Sequence, residues 1–299
     1  MAAISTPVAT DVICRTTIAS PGYPALLREI VHPPHELFVR GAPIRTDIPL
    51  VSIVGTRRIS SYGRLALQQL VPPLVRAGVG IVSGLAFGVD AVAHALTVEA
   101  RGYTIAALPG SVDDASIFPT SNRALARRIL ESGGTLVSEN PTGALIQSFS
   151  FPLRNRIIAG LTQLTIVVEA PRKSGALITA NLALDANRSV GAVPGPITSR
   201  VSDGCNSLLH RGAYVITSAS DVLEILNLKV PDTATGIPAE IPEECHVLAP
   251  HLTASPITTD ELIERTQLPP GDVLRMITTL ELLGCVRSPV PDTFVRVYL

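Results

Sequence analysis

Five stretches of this 299-residue chain gather residue types that could hold an anion or a flat ring. The first is Val54-Gly55-Thr56-Arg57-Arg58. A glycine turn leaving a buried strand exposes backbone N–H groups, and a helix start behind it adds a favourable dipole. A phosphate could sit there with the Arg57 guanidinium beside it. The second runs from Val82 through Ser83, Gly84 and Gly88 to Asp90, with His94 one helical turn further on. Its glycines let a ligand approach the backbone. Asp90 and His94 share a helix face, so an acid–base pair is conceivable. The plainer expectation is that Asp90 steadies the first helical turn and His94 hydrogen-bonds in the core.

The third stretch brackets a helix start with Phe149, Phe151, Arg154, Asn155 and Arg156. Aromatics are scarce here, with 5 tyrosines, 6 phenylalanines and no tryptophan, so the clustering carries weight. Phenylalanine can stack on a base, arginine can grip phosphate, and asparagine can read a base edge or cap the helix. The fourth, Arg172-Lys173-Ser174-Gly175 with Thr179, is again a polar loop between strand and helix. It is not a phosphate-binding loop of the Walker type, because arginine stands where that motif requires glycine. Gly195 and Asn206 mark a fifth pair of loops.

Metal and covalent chemistry find no support. The six histidines form no HExxH, and Ser83 lies outside GxSxG because residue 81 is isoleucine. The expectation is no catalytic residue, no cofactor and no metal.

Elements that could position these loops alternate along residues 48–228. The apolar run Ile48–Val54 reads as a strand buried on both faces. Further strands are expected at Gly80–Ser83, Tyr103–Leu108, Thr135–Ser138, Thr165–Glu169 and Ser189–Val193. Helices are expected near 62–77, 90–100, 121–131, 154–161, 174–187 and 204–210. This pattern implies an α/β fold, a Rossmann-like parallel sheet with helices on both faces, whose ligands bind at the carboxyl ends of the strands. Residues 1–47 read as a lead-in and the proline-rich 229–244 as a linker. The tail, 245–299, reads as three helices (Cys245–His251, Thr258–Thr266, Pro270–Leu283) and a terminal hairpin, a winged-helix-like domain.

The totals exclude several classes. No apolar run approaches the roughly 20 residues of a membrane helix, and the N-terminus lacks the pattern of an export signal. Four scattered cysteines without CxxC argue against a disulfide framework, so a cytoplasmic protein is expected. The net charge of −1 hides a split: residues 51–215 carry 15 basic and 9 acidic groups, and residues 216–299 carry 5 and 12.

Read in order, SIVGTRRISSYG, VSGLAFGVDAVAHALTVEARGYTIAALPGSVD, GGTLVSENP and FPLRNRIIAGLTQLTIVVEAPRKSGALITANLAL closely resemble the DprA/Smf family of bacterial DNA-processing proteins. AVPGPIT and SDGCNSLLHRGA extend the resemblance to about residues 23–226. It implies an extended Rossmann-like domain that binds single-stranded DNA, forms a homodimer and loads the RecA recombinase. Such proteins protect incoming strands during natural transformation and are not known as enzymes. Many end in a winged helix, matching 245–299. Carried onto this chain, the DNA-binding positions are Gly55, Thr56, Arg57, Phe151, Arg154, Asn155 and Arg156, with Lys173, Ser174 and Gly175 as a phosphate loop. Ser83, Gly84, Gly88, Asp90, Thr179, Gly195 and Asn206 are supporting positions. One departure is Phe118-Pro119, where the family has Tyr-Pro. Another is the expected lack of the helical domain many members carry ahead of the position of Tyr23.

The rival expectation is a nucleotide-binding enzyme of the nucleoside-monophosphate phosphoribohydrolase type. Gly133-Gly134-Thr135 and Glu139 distantly echo the PGGxGTxxE motif of that group.

Overall fold

The computed structural model describes residues 12–228, 241–253, 256–283, 285–290 and 292–296. It opens on an antiparallel pair, β1 (Ile13–Thr17) and β2 (Glu36–Gly41), with one helical turn between them, α1 (Ala25–Arg28). The chain then alternates through β3 (Leu50–Val54), α2 (Ser61–Arg76), β4 (Gly80–Ser83), α3 (Val89–Glu99) and β5 (Thr104–Ala107). It continues with α4 (Arg123–Glu131), β6 (Thr135–Ser138), α5 (Ser150–Gly160), β7 (Leu164–Val167) and α6 (Gly175–Asp185). The last elements of this unit are β8 (Ser189–Ala192), α7 (Asp203–His210), β9 (Tyr214–Val215) and α8 (Ala219–Ile225).

All nine strands join one sheet in the order β1-β2-β6-β5-β4-β3-β7-β8-β9. The seven from β6 to β9 run parallel, and β1 and β2 pair antiparallel at one edge. Residues before 48, read as a lead-in, therefore extend the sheet. Every residue of β3, β4, β5, β6 and β7 is buried, which is why these strands read as unbroken runs of apolar and small residues. Period-two alternation splits β3 between two cores. Val51 and Ile53 pack with α2, α3 and α8. Leu50 and Val54 pack with α5, α6 and α7.

From β3 the chain steps one way to β4, β5 and β6. Helix α5 carries it back to β7 on the other side of β3, and β8 and β9 follow outward. The β3/β7 junction is thus a topological switch point, and the loops at the carboxyl ends of these strands splay apart to leave a crevice.

The chain divides into two compact units at Val230/Pro231. Most of the expected linker, 229–240, lies outside the described residues. The second unit contains β10 (Ile257–Thr258), α9 (Thr259–Thr266), α10 (Pro270–Leu282), β11 (Val286–Val290) and β12 (Thr293–Arg296), the strands ordered β10-β12-β11. The helix expected over Cys245–His251 is instead a short 3-10 turn, Glu243–Val247. Pro250 disfavours helical geometry at Ala249 and offers no N–H, so the segment cannot continue as an α-helix. Among the described residues, no helix is long and apolar enough to cross a membrane.

Candidate functional site

At the β3/β7 switch point lies a cleft of about 310 Å³. Its walls come from four places: Gly55, Thr56 and Arg57 after β3; Ala86 and Asp90 after β4; Arg154, Asn155 and Ile158 on α5; and the loop from Pro171 through Lys173, Ser174 and Gly175 into α6. Thr179, one turn into α6, completes it. Most of the sequence-assigned residues therefore meet in one cavity.

The N-termini of α2 and α6 both approach this edge, and they differ. The start of α2 is already occupied by a carboxylate of the chain. Glu169, buried at the end of β7, accepts from Ser60 N (2.9 Å) and from the Ser60 hydroxyl, while Ser60 Oγ caps Gly63 N at 3.1 Å. The expected backbone cradle around Gly55 is also partly engaged. Thr56 N donates to Glu169 O (2.6 Å) and Arg58 N donates to Thr56 Oγ1 (3.2 Å). The start of α6 is open to the cleft: Ser174 caps its own helix through Ala176 N (3.3 Å), and Gly175 and Ala176 line the wall. An anion is favoured there by the dipole and by Lys173.

Arg154 and Asn155 line the cleft but are buried. Arg154 Nη1 donates to Gly84 O (2.6 Å) and Ala107 O, and its Nε donates to Asn155 Oδ1 (3.3 Å). Burial lowers its guanidinium to about 10, with Asp90 opposing and Arg57 adding to the effect. Arg154, expected from sequence to grip a phosphate, is thus an arm fixed in the floor of the cleft. Asn155 Nδ2 donates to Gly175 O (3.4 Å), tying α5 to the start of α6.

Arg156 departs from expectation altogether. Two residues along a helix turn about 200°, so Arg154 and Arg156 face opposite ways. Arg156 pairs with Glu139 and lines neither cleft nor groove. The other supporting positions sort themselves similarly. Ser83 Oγ donates to Ile53 O (2.6 Å) within the sheet. Gly195 and Asn206 bond each other at 3.3 and 3.0 Å, away from the cavity. Gly88 adopts φ +76° at the start of α3, and a side chain there would collide with the Thr56 carbonyl. Glycine is what lets the β3 and β4 loops meet.

Asp90 and His94 are not an acid–base pair. Asp90 accepts from Gly84 N (3.0 Å); burial pushes its carboxyl up, with Arg154 opposing. His94 Nδ1 lies 2.8 Å from Thr104 Oγ1, whose own proton goes to Ile81 O (2.7 Å). The histidine is therefore the donor, neutral, and held down to about 3 by burial and by Arg154.

Sequence reasoning singled out Phe151 as a stacking ring but did not see the neighbouring groove it helps to form with Phe87 and Phe118. A recess of about 40 Å³, lined by Phe87, Pro109, Phe118, Pro119 and Phe151, shares Arg57, Ala86 and Arg154 with the cleft. Phe118 and Phe151 meet edge-on with centroids 5.6 Å apart. Phe87, Phe118 and Phe149 are 45, 42 and 57% exposed, an unusual display for large apolar rings. The same scarcity that pointed to Phe149 and Phe151 could have drawn attention to Phe87 and Phe118. Arg58, Arg172 and Arg200, in loops at the same sheet edge, are also exposed and carry no ion pair among the described residues.

The glycines of the rival enzyme's echo motif lie elsewhere, and its Glu139, just past the carboxyl end of β6, is held by Arg156. Gly133 and Gly134 form the turn from α4 into the amino end of β6, so they cannot contribute to a site at the carboxyl edge.

Comparison with known proteins matches residues 15–227 to the family model for DNA recombination-mediator protein A, and residues 232–289 to that for the DprA winged helix domain. Protein Smf of Escherichia coli is 35% identical over 92% of this chain and 75% of its own. DNA processing protein DprA of Bacillus subtilis is 40% identical over 70% of each. Among solved structures, DNA processing protein A of Streptococcus pneumoniae superposes with a TM-score of 0.67 at 36% identity, covering 72% of this chain and 75% of that one. The Helicobacter pylori protein, described for its single-stranded DNA binding mode, gives 0.63 at 30%, covering 71% and 95%.

Proposed function

Because this chain belongs to the DNA recombination-mediator protein A family, whose members are also named DprA and Smf, we propose that it binds single-stranded DNA along the carboxyl edge of its sheet. The observation that carries this reading is the junction at Arg57, where a cationic cleft runs into a groove lined by the half-buried Phe151 and the exposed Phe87 and Phe118. Phosphates suit Arg57, Lys173 and the open N-terminus of α6, with Arg58, Arg172 and Arg200 extending the cationic edge. Bases suit the rings of Phe87, Phe118 and Phe151, because stacking tolerates any sequence. The protein would bind DNA without transforming it. As a cytoplasmic homodimer it would shield incoming strands and load RecA onto them.

The winged-helix unit is read as an accessory or protein-interaction module. The one basic residue of α10, Arg275, is held by Glu244 (2.9 Å) and Asp272 (3.4 Å), a poor start for gripping duplex DNA.

The test is a titration of labelled single- and double-stranded oligonucleotides, followed by RecA filament assembly on the protein-coated strand. Preference for the single strand and faster assembly are expected. Equal affinity for both forms would overturn the DNA reading, and unchanged assembly would overturn the loading role.

A further inference from the structure

The floor of the cleft is built for something other than a phosphate. Asp90 and Arg154, 5 and 6% exposed, both line it, and both are fastened to Gly84, one to its N–H and the other to its carbonyl. No ion pair joins the two. The Nη1 and Nε atoms of Arg154 have partners, whereas Nη2 has none among the described residues. A phosphate driven to this depth would meet the Asp90 carboxylate, so anions are held at the rim, by Arg57, Lys173 and the start of α6. A cationic N–H and a carboxyl lining one cleft fit instead a neutral group that offers an acceptor and a donor on neighbouring positions of one edge.

On a DNA strand, sugar and phosphate offer no such pairing, but every base does. The pairs are N1 and N6–H of adenine, N3 and N4–H of cytosine, O6 and N1–H of guanine, and O4 and N3–H of thymine. We propose that Arg154 and Asp90 read the Watson–Crick edge of one base turned into the cleft, a role that rests on the single-stranded DNA reading above. A cleft of about 310 Å³ is at the lower end of small-ligand pockets, suiting one base with its sugar. Two consequences follow from the chemistry. All four bases satisfy the floor, so it imposes little sequence preference. A base already paired in a duplex has this edge covered and cannot enter, so the floor selects unpaired strands.

The experiment compares the full-length protein on two oligonucleotides of equal length, one of thymidine and one of N3-methylthymidine. Methylation removes the ring donor and blocks the edge while leaving the phosphates, the sugar and the aromatic face in place. Methylation is expected to weaken binding by about tenfold or more, the scale of hydrogen bonds to charged groups, with the salt dependence unchanged. Equal affinity for the two would overturn the proposal. If neither oligonucleotide binds, the single-stranded DNA reading itself fails. Asp90→Asn provides a second readout: the folded variant should lose most of its sensitivity to methylation. Full sensitivity in that variant would remove Asp90 from the role. Should it fail to fold, the methylated oligonucleotide still decides with the unaltered protein.

Discussion

The Arg57 guanidinium lies over the ring of Phe151, 5.4 Å from its centroid, at the boundary between the cationic cleft and the phenylalanine groove. In the proposed reading one residue supplies a charge for phosphate and the other a face for a base, and their contact ties the two positions together. Their contributions separate by salt. Arg57→Ala should weaken single-strand binding and reduce the slope of log K against log salt by about 0.7. Phe151→Leu should weaken binding by roughly 1–3 kcal/mol with little change in slope. Fluorescence anisotropy across a salt series checks both. A slope loss in the phenylalanine variant equal to that of the arginine variant would contradict the division.

Glu169 caps α2 from the end of β7, so its charge serves the fold. Glu169→Gln should lower stability by about 1–3 kcal/mol, the cost of disturbing a buried hydrogen-bonded charge. Affinity for single-stranded DNA per folded molecule should stay the same. Urea melts and a binding titration on the same sample check this; a large loss of affinity with unchanged stability would place Glu169 in the binding site instead.

Gly84 leaves room for Arg154. A Cβ there would stand 2.6 Å from both Cζ and Nη2 of the guanidinium, and its backbone needs no left-handed conformation. Gly84→Ala should therefore act by overpacking, costing about 1–3 kcal/mol and pushing the guanidinium out of the floor. Stability and single-strand affinity should fall together. Full tolerance would show that the floor has slack.

His94 makes the protein sensitive to acid. The native state holds its imidazole neutral down to about 3, whereas the unfolded chain takes up a proton near 6.5. The stability this neutral histidine preserves is present above 6.5 and is lost as pH falls from there toward 3, at up to ~1.4 kcal/mol per unit. His94→Gln should flatten that dependence in urea melts between pH 7 and 4. An unchanged profile would assign the acid sensitivity to other groups.

How much of this was legible beforehand depended on how local each cause is. The strand runs Leu50–Val54 and Gly80–Ser83 are buried throughout, and burial on both faces leaves a continuous signature in the chain. Strands β1 and β2 escaped notice because charged Arg15, Glu36 and Arg40 interrupt the pattern, being paired across strands or with a distant loop. Gly55, Lys173 and Gly175 could be assigned to one edge because strand-loop-helix order alone places them there. Arg154 and Arg156 sit two positions apart in one motif, yet one enters the cleft floor and the other pairs with Glu139.

The sequence by itself determined the parallel α/β architecture, the edge at which the candidate cleft lies and the family, because hydrophobic periodicity and loop chemistry are written locally. Only the tertiary structure decided which charges are free. Glu169 reaches Ser60 across 109 positions and closes the N-terminus of α2, while Arg154 reaches Gly84 across 70 and becomes part of a floor. Whether a charge meets a ligand or a partner within the protein depends on contacts between distant segments, and those exist only once the sheet has brought the segments together.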